Sequence, residues 1–262
     1  IKSSTQGIFR LEVTPTIGCP CRCDYCPQEK LQKKYRKEDE HSTEKPLIHM
    51  NPLDFEKMLN NCPPSNQLRI HWTGYVEPLI SPNISELLKI SIKRGIPQML
   101  NTTLLGAKKS HIDLLKSGLV TMNLHLPDDE NMMKVNVNKD YLDIMEYTIS
   151  KLNVKTDSIH FIGTPHREIM QSFRESEIIQ DKIRNGLKLG KVITISRASN
   201  LIDHKNVPEI SNFSKRKMNK NGFITAYCQK RRFSQPVLLP DGRVTLCCMD
   251  YGLEEVLGNL IN

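Results

Sequence analysis

The sequence predicts an α/β fold, a parallel sheet curled into a partial (β/α)6 TIM-like barrel followed by a small C-terminal β-hairpin region. Three observations predict it. Between Ile8 and about Ser196, six short strand-like runs alternate with amphipathic helical segments. Several of those segments end on expected stops, as in Lys93-Arg94-Gly95 and Lys116-Ser117-Gly118. Beyond them the pattern changes to a polar stretch, Asn200 to Asn221, and then to two β-like runs joined by Asp241-Gly242, a strong hairpin signal. Strands alternating with helices in this way imply βαβ units and a parallel sheet.

The strand-like runs are Phe9–Thr14, Leu68–Trp72, Gln98–Thr102, Val120–Leu126, Ser158–Ile162 and Lys191–Ser196. The helix-like segments between them are Pro52–Asn61, Asn83–Arg94, Lys108–Ser117, Lys139–Leu152 and roughly Ser176–Gly186. The chain divides at about residue 200 into a barrel region, 1–200, and a linker with a hairpin region, 201–262. In parallel α/β sheets the functional site lies at the carboxyl ends of the strands.

The first of those ends carries the densest chemistry. Cys19, Cys21, Cys23 and Cys26 fall within eight residues. Read as C-x3-C-x2-C, the set is Cys19, Cys23 and Cys26, with Tyr25 just before the last. Three thiolates hold three irons of a [4Fe–4S] cube and leave the fourth open for a ligand, whereas four would close it. A disulfide framework belongs to small secreted chains. A structural zinc site wants a second C-x2-C, and none follows. Cys21 reads as an unliganded thiol.

Composition sets the class. Hydrophobic residues are 38% and charged residues 25%, values of an ordinary globular protein. The apolar runs, such as Leu119–Met122, are far short of a membrane span. With thiol-rich chemistry and no secretion signal, a reducing cytoplasm is expected. The net charge of +8 comes from basic residues mixed with acids. The run from Lys30 to Lys37 passes at once into Glu38-Asp39-Glu40 and reads as a solvated loop, so nucleic acid is not an expected partner. A substrate with phosphate or carboxylate groups remains open.

Cys19-x3-Cys23-x2-Cys26 after a first strand, with Tyr25 in place, resembles the radical S-adenosylmethionine (SAM) superfamily, and the resemblance continues through most of the chain. His71-Trp-Thr-Gly74-Tyr-Val-Glu77-Pro78-Leu resembles the family's GxGEPL segment, which holds the SAM amino group; Val76 stands where the second glycine is common, so an altered backbone approach is expected. Asn101-Thr-Thr-Leu-Leu resembles its TNGTLL segment. Met122-Asn123-Leu-His125-Leu-Pro-Asp-Asp resembles its iSLHGpdee segment, with Asn123 at the ribose-contacting position. Period 2 puts Asn123 and His125 on one strand face. Gly163 fits the small residue beside adenine. Ser196-Arg197-Ala198-Ser199-Asn200 resembles the NRaGn segment of members with SPASM or Twitch extensions, which would point Arg197 into the site. His125 and Arg197 are the catalytic candidates.

Cys228-x13-Gly242-x4-Cys247, with Leu257-Gly258-Asn259-Leu260, resembles the opening of a SPASM or Twitch auxiliary-cluster domain. Cys228 and Cys247 are then candidate ligands of an auxiliary [4Fe–4S] cluster. Cys247 and Cys248 are expected at the end of a strand, on opposite faces, with one of them a ligand. The family supplies further cysteines after that segment, so the end at Asn262 reads as a truncation. The resemblance implies a [4Fe–4S]-dependent oxidoreductase: reductive cleavage of SAM yields a 5′-deoxyadenosyl radical that abstracts hydrogen from substrate. The compact form resembles Twitch-type aminocyclitol dehydrogenases, so net oxidation of a sugar- or cyclitol-like molecule is expected. SPASM-type peptide maturation is the alternative, and a non-catalytic iron–sulfur or zinc scaffold the alternative of another class. A reducing partner such as flavodoxin or ferredoxin is implied.

Overall fold

The structure, a computed structural model, describes residues 8–36, 47–192, 217–218, 224–225 and 235–261. In chain order the first elements are β1 (Phe9–Val13), β2 (Thr16–Ile17), α1 (Gln28–Arg36), β3 (Ile48–His49), α2 (Pro52–Asn60), β4 (Leu68–Trp72), α3 (Ile84–Lys93) and β5 (Gln98–Thr102). There follow α4 (Lys109–Ile112), β6 (Val120–Leu126), α5 (Lys139–Lys151), β7 (Ser158–Ile162), α6 (Arg167–Glu175), α7 (Glu177–Arg184) and β8 (Lys188–Val192). Short strands β9 (Lys217–Met218) and β10 (Ile224–Thr225) pair with each other, and β11 (Val237–Leu238), β12 (Arg243–Thr245) and β13 (Val256–Asn259) close the described chain.

Period-2 alternation builds the sheet. Val120, Met122, Leu124 and Leu126 of β6 are buried while Thr121, Asn123 and His125 between them are half-buried, and β4 alternates likewise. The buried set packs with Phe55 and Met58 of α2, Leu87 and Leu88 of α3, Met145 and Ile149 of α5 and Phe173 of α6 in one core. The other face keeps its polar residues for the interior of the curl. Strands β1, β4, β5, β6, β7 and β8 are parallel neighbours in that order, as a partial barrel requires. The described sheet is open: β13 and β8 lie at its two ends.

The hairpin extends this same sheet. β11 pairs parallel with β1, Glu12 opposite Val237, and β12 and β13 follow antiparallel. Asp241-Gly242 makes the turn, with Gly242 at φ +85° and Asn259 Oδ1 only 2.5 Å from where a Cβ would stand, so glycine is required there.

Three expectations are corrected. The run from Lys30 is helical through Arg36, because Leu31 and Tyr35, four apart, share one face and bury it against Ile17, Val237 and Leu239; residues 37–40 lie outside the described ones. Arg243 stacks over the Tyr35 ring at 4.8 Å. The expected helix Lys108–Ser117 tightens after Ile112 into a 3₁₀ turn, Asp113–Ser117, ended by Gly118 at φ +69°. The sixth barrel strand begins at Lys188, three residues before the expected start, because Ser158 to Ile162 of β7 pair with Lys188 to Val192; residues 193–196 of the expected run lie outside the described ones. Helix α6 was not expected: Ile169 and Phe173 are its only buried residues.

Candidate active site

The cysteine loop leaves the carboxyl end of β1 and is tied on two sides. On one, the Asp24 backbone N–H donates to the Met132 carbonyl at 2.9 Å and the Cys23 thiol to the Met133 carbonyl at 3.4 Å. That partner loop is itself fixed by buried Asp128, which accepts from Met132 N–H at 2.8 Å and Met133 N–H at 3.3 Å. On the other side, the Gln28 amide donates to Cys26 sulfur at 3.4 Å and to the Tyr75 carbonyl, and Tyr251 Oη lies 3.4 Å from Cys26 sulfur.

Cys19, Cys23 and Cys26 line one pocket with Tyr25, Gly74, Glu77, Asn101 and His125. Hydrogen bonding with Cys21, whose one S–H is shared between them, pulls the Cys19 and Cys23 thiols below the ordinary range, and the Glu77 backbone N–H adds to the effect at Cys19. Cys21 moves the opposite way, driven up by the thiols of Cys19 and Cys23 and by burial; it is 2% exposed and packs into the main core. Two thiols are thus biased toward the thiolate that binds metal, and the one between them is held neutral.

The Gly74–Glu77 turn follows β4. Gly74 has φ +64°, and a Cβ there would lie 2.2 Å from Thr14 Oγ1, the atom that accepts from the Tyr75 N–H at 3.2 Å. Gly74→Ala is expected to lower the unfolding free energy by roughly 2–4 kcal/mol, from the left-handed backbone and the overpacking together. A shift in the denaturant midpoint checks this. Val76 carries no positive φ, so the β-branched residue fits where a second glycine was the reference. Glu77 is buried, and its carboxylate accepts from Leu79 N–H at 3.1 Å, Thr102 Oγ1 at 2.6 Å, Thr103 N–H at 2.6 Å and Thr103 Oγ1 at 2.9 Å. Burial pushes this carboxyl above its usual value, and the donors offset only part of that. With two donors on each oxygen, Glu77 ties its turn to the end of β5.

On the interior face the parallel register sets Asn101 beside Asn123, Asn123 beside Ser158, and His125 beside His160. Their side chains form a row. Asn123 donates to Asn101 Oδ1 at 3.1 Å, Ser158 donates to Asn123 Oδ1 at 2.6 Å, and Ser158 Oγ lies 3.0 Å from His160 Nε2. The rings of His125 and His160 are 5.6 Å apart. Burial holds His160 below its usual pKa, favouring neutral imidazole. Gly190 faces it, where a Cβ would come within 2.8 Å of His160 Nδ1.

Some expected residues stand elsewhere. Gly163, at φ +66° beside Glu130, opens on a separate cavity at the ends of β7 and β8. Arg197 and Cys228 lie outside the described residues. Cys247 and Cys248 are not on a strand: β12 stops at Thr245, and both sit buried in the turn that follows, so alternation does not sort them. Tyr75 and Tyr251, missed in the sequence, join that turn to the site. Tyr75 Oη donates to the Cys247 carbonyl at 2.8 Å or the Asp250 carbonyl at 3.0 Å, and its ring meets Tyr251 at 4.7 Å.

Comparison with known proteins decides the family. The description "Radical SAM superfamily" matches residues 13–176, well over half of the 262 residues. The chain belongs to the radical SAM superfamily. No curated protein matches this radical SAM chain by sequence. Solved structures share its fold. They include anSMEcpe with bound AdoMet and Cp18Cys peptide, at 15% identity and TM-score 0.57, covering 97% of this chain and 78% of that one. BtrN in complex with AdoMet and 2-DOIA follows at 16% and 0.54, covering 97% and 78%. Streptococcus suis SuiB bound to precursor peptide SuiA stands at 14% and 0.55, covering 98% of this chain and 63% of that one, so the chain spans less than two thirds of SuiB. At these identities the likeness is one of fold.

Radical SAM proteins are enzymes whose cofactors are a [4Fe–4S] cluster and SAM, and the donor set here fits them. Among the described residues no three His, Cys, Asp or Glu side chains are gathered tightly enough for a single ion. Four thiols instead line one pocket; Cys21 among them is buried and held neutral, and the other three suit a cube in which each thiolate takes its own iron. Gln28, whose side-chain oxygen is buried without a hydrogen-bond partner, is a further polar residue lining the same pocket.

Proposed function

We propose that this radical SAM enzyme oxidises a hydroxyl-rich, sugar- or cyclitol-like small molecule. The observation that carries the substrate class is the set Ser158, His160 and His125, which continues the polar row of Asn101 and Asn123 along the interior face next to the cysteine pocket. Amide, hydroxyl and imidazole groups that alternate donor and acceptor match vicinal hydroxyls, and half-buried polar groups are costly unless partnered.

In this reading Cys19, Cys23 and Cys26 hold the cluster, Tyr25 flanks it, and Gly74, Glu77, Asn101 and Asn123 form the SAM side. When bound, the cluster and SAM supply a one-electron cleavage that generates the 5′-deoxyadenosyl radical. The chain's own part is to bind, orient and exclude water. Glu77 fixes the turn from β5, Asn123 aligns the interior row, His125 faces the substrate, and Arg197 is proposed as a second catalytic residue. A neutral His160, protonated on Nε2, donates to Ser158 without adding charge. Cys228 and Cys247 are proposed for an auxiliary [4Fe–4S] cluster, and a flavodoxin or ferredoxin for the reductant.

The test uses anaerobically reconstituted protein with dithionite and SAM. A deuterated aminocyclitol is expected to raise 5′-deoxyadenosine release and to place its deuterium in that product. A peptide substrate is the second reading, favoured by the peptides held in the SuiB and anSMEcpe structures. Deuterium transfer from a labelled peptide, with none from cyclitols or sugars, would replace the first reading by the second.

A further inference from the structure

Cys26 takes one hydrogen-bond partner from two residues along its own segment and another from the far end of the chain. Tyr251 Oη stands 3.4 Å from its sulfur, across 225 positions of sequence, and the Gln28 amide donates to the same sulfur at 3.4 Å. A metal-bound cysteine is a thiolate and can only accept, so both groups are then donors. Their placement is built in. Tyr251 is 1% exposed and packs edge-on against Tyr75. Tyr75 is in turn anchored by its hydroxyl on the backbone of Cys247 and Asp250 and by its carbonyl on Gln28. Asp250 fixes the segment beyond, accepting from Glu254 N–H at 3.0 Å and Glu255 N–H at 2.9 Å.

Donors to a cluster thiolate draw electron density from the sulfur. The reduced cluster carries one more negative charge, so it gains more from them than the oxidised one, and the reduction potential rises. We propose that Tyr251, with Gln28, is a positioning residue that sets the reduction potential of the cluster through Cys26, so that the hairpin region tunes the site it borders. This rests on Cys26 being an iron ligand.

Tyr251→Phe removes the hydroxyl and keeps the ring contact with Tyr75. In a redox titration of the reconstituted full chain, followed by electron paramagnetic resonance, this variant is expected to keep its iron. Its midpoint should become more negative. At a fixed poise its ratio of reduced to oxidised cluster should fall about three- to tenfold, the upper figure being 59 mV for a one-electron couple. Gln28→Leu should shift it the same way. Tyr147→Phe, which removes a hydroxyl bonded to Asp113 and outside the cysteine pocket, should leave the midpoint in place. An unchanged midpoint in Tyr251→Phe with full iron overturns the inference. So does an equal shift in Tyr147→Phe, since a general loss of stability would then be the cause. Cys26→Ala separates the two levels: full iron and an unaltered midpoint there would overturn the ligand assignment itself.

Discussion

Cys23→Ala is expected to abolish 5′-deoxyadenosine release, by more than ~100-fold, and to lose most of the bound iron. The argument is local. Each thiolate of the proposed set takes its own iron, so two remaining thiolates leave the cube bound through two corners. Cys21 lines the same pocket, but it is 2% exposed and its thiol is pushed up by Cys19, Cys23 and burial, so it is held neutral rather than as the thiolate a ligand must be. Cys21→Ala is the matched control and should keep both iron and product. Chemical iron analysis and chromatography of the SAM cleavage products on both variants check this. Equal product from Cys23→Ala and the unsubstituted protein would remove Cys23 from the ligand set. A Cys21→Ala variant as damaged as Cys23→Ala would make four thiols the working set and close the iron assigned to SAM.

The strands were legible wherever one face is buried and the other is not. Val120–Leu126 was bounded to the residue, because Val, Met, Leu and Leu alternate with Thr, Asn and His and the pleat turns that into a buried face and an interior face. The same rule failed at β8, where Lys188, Gly190 and Lys191 carry none of the branched residues that mark a strand, and pairing with β7 decides instead. Charge hid α1. Its surface is lysine-rich, and only Leu31 and Tyr35 show the side that packs. For the site, spacing located the cysteine loop, and the segments at the ends of β4, β5 and β6 bring Gly74, Glu77, Asn101 and His125 to its pocket. The tyrosines were out of reach. Nothing near Tyr251 in sequence signals Cys26, and that contact exists only because β11 adds to β1 and carries the following turn back over the loop.

Glu77→Ala is expected to lower the unfolding free energy by about 4 kcal/mol, measured by denaturant titration. Four donors converge on this carboxylate, two of them backbone N–H groups of Leu79 and Thr103. Hydrogen bonds to a charged group are worth about 1.5–3 kcal/mol each, and rotation of the threonine hydroxyls recovers part of the loss. Glu77→Gln keeps the shape but turns an NH2 toward Thr103, which should cost about 2 kcal/mol. Its pH dependence separates charge from shape. Burial raises the folded carboxyl above its unfolded value, so the native state holds the proton to higher pH. That contribution is fully present below about pH 4.3 and is lost as pH rises through the raised value. Stability of the unsubstituted protein should therefore carry a falling component over that window, which Glu77→Gln, having nothing to ionise, should lack. Parallel pH profiles for the two proteins would mean that the four donors outweigh burial and that Glu77 enters the fold already ionised. The turn would then be held to β5 by a buried charge, and the carboxylate would add a fixed negative potential beside the thiols of Cys19 and Cys21.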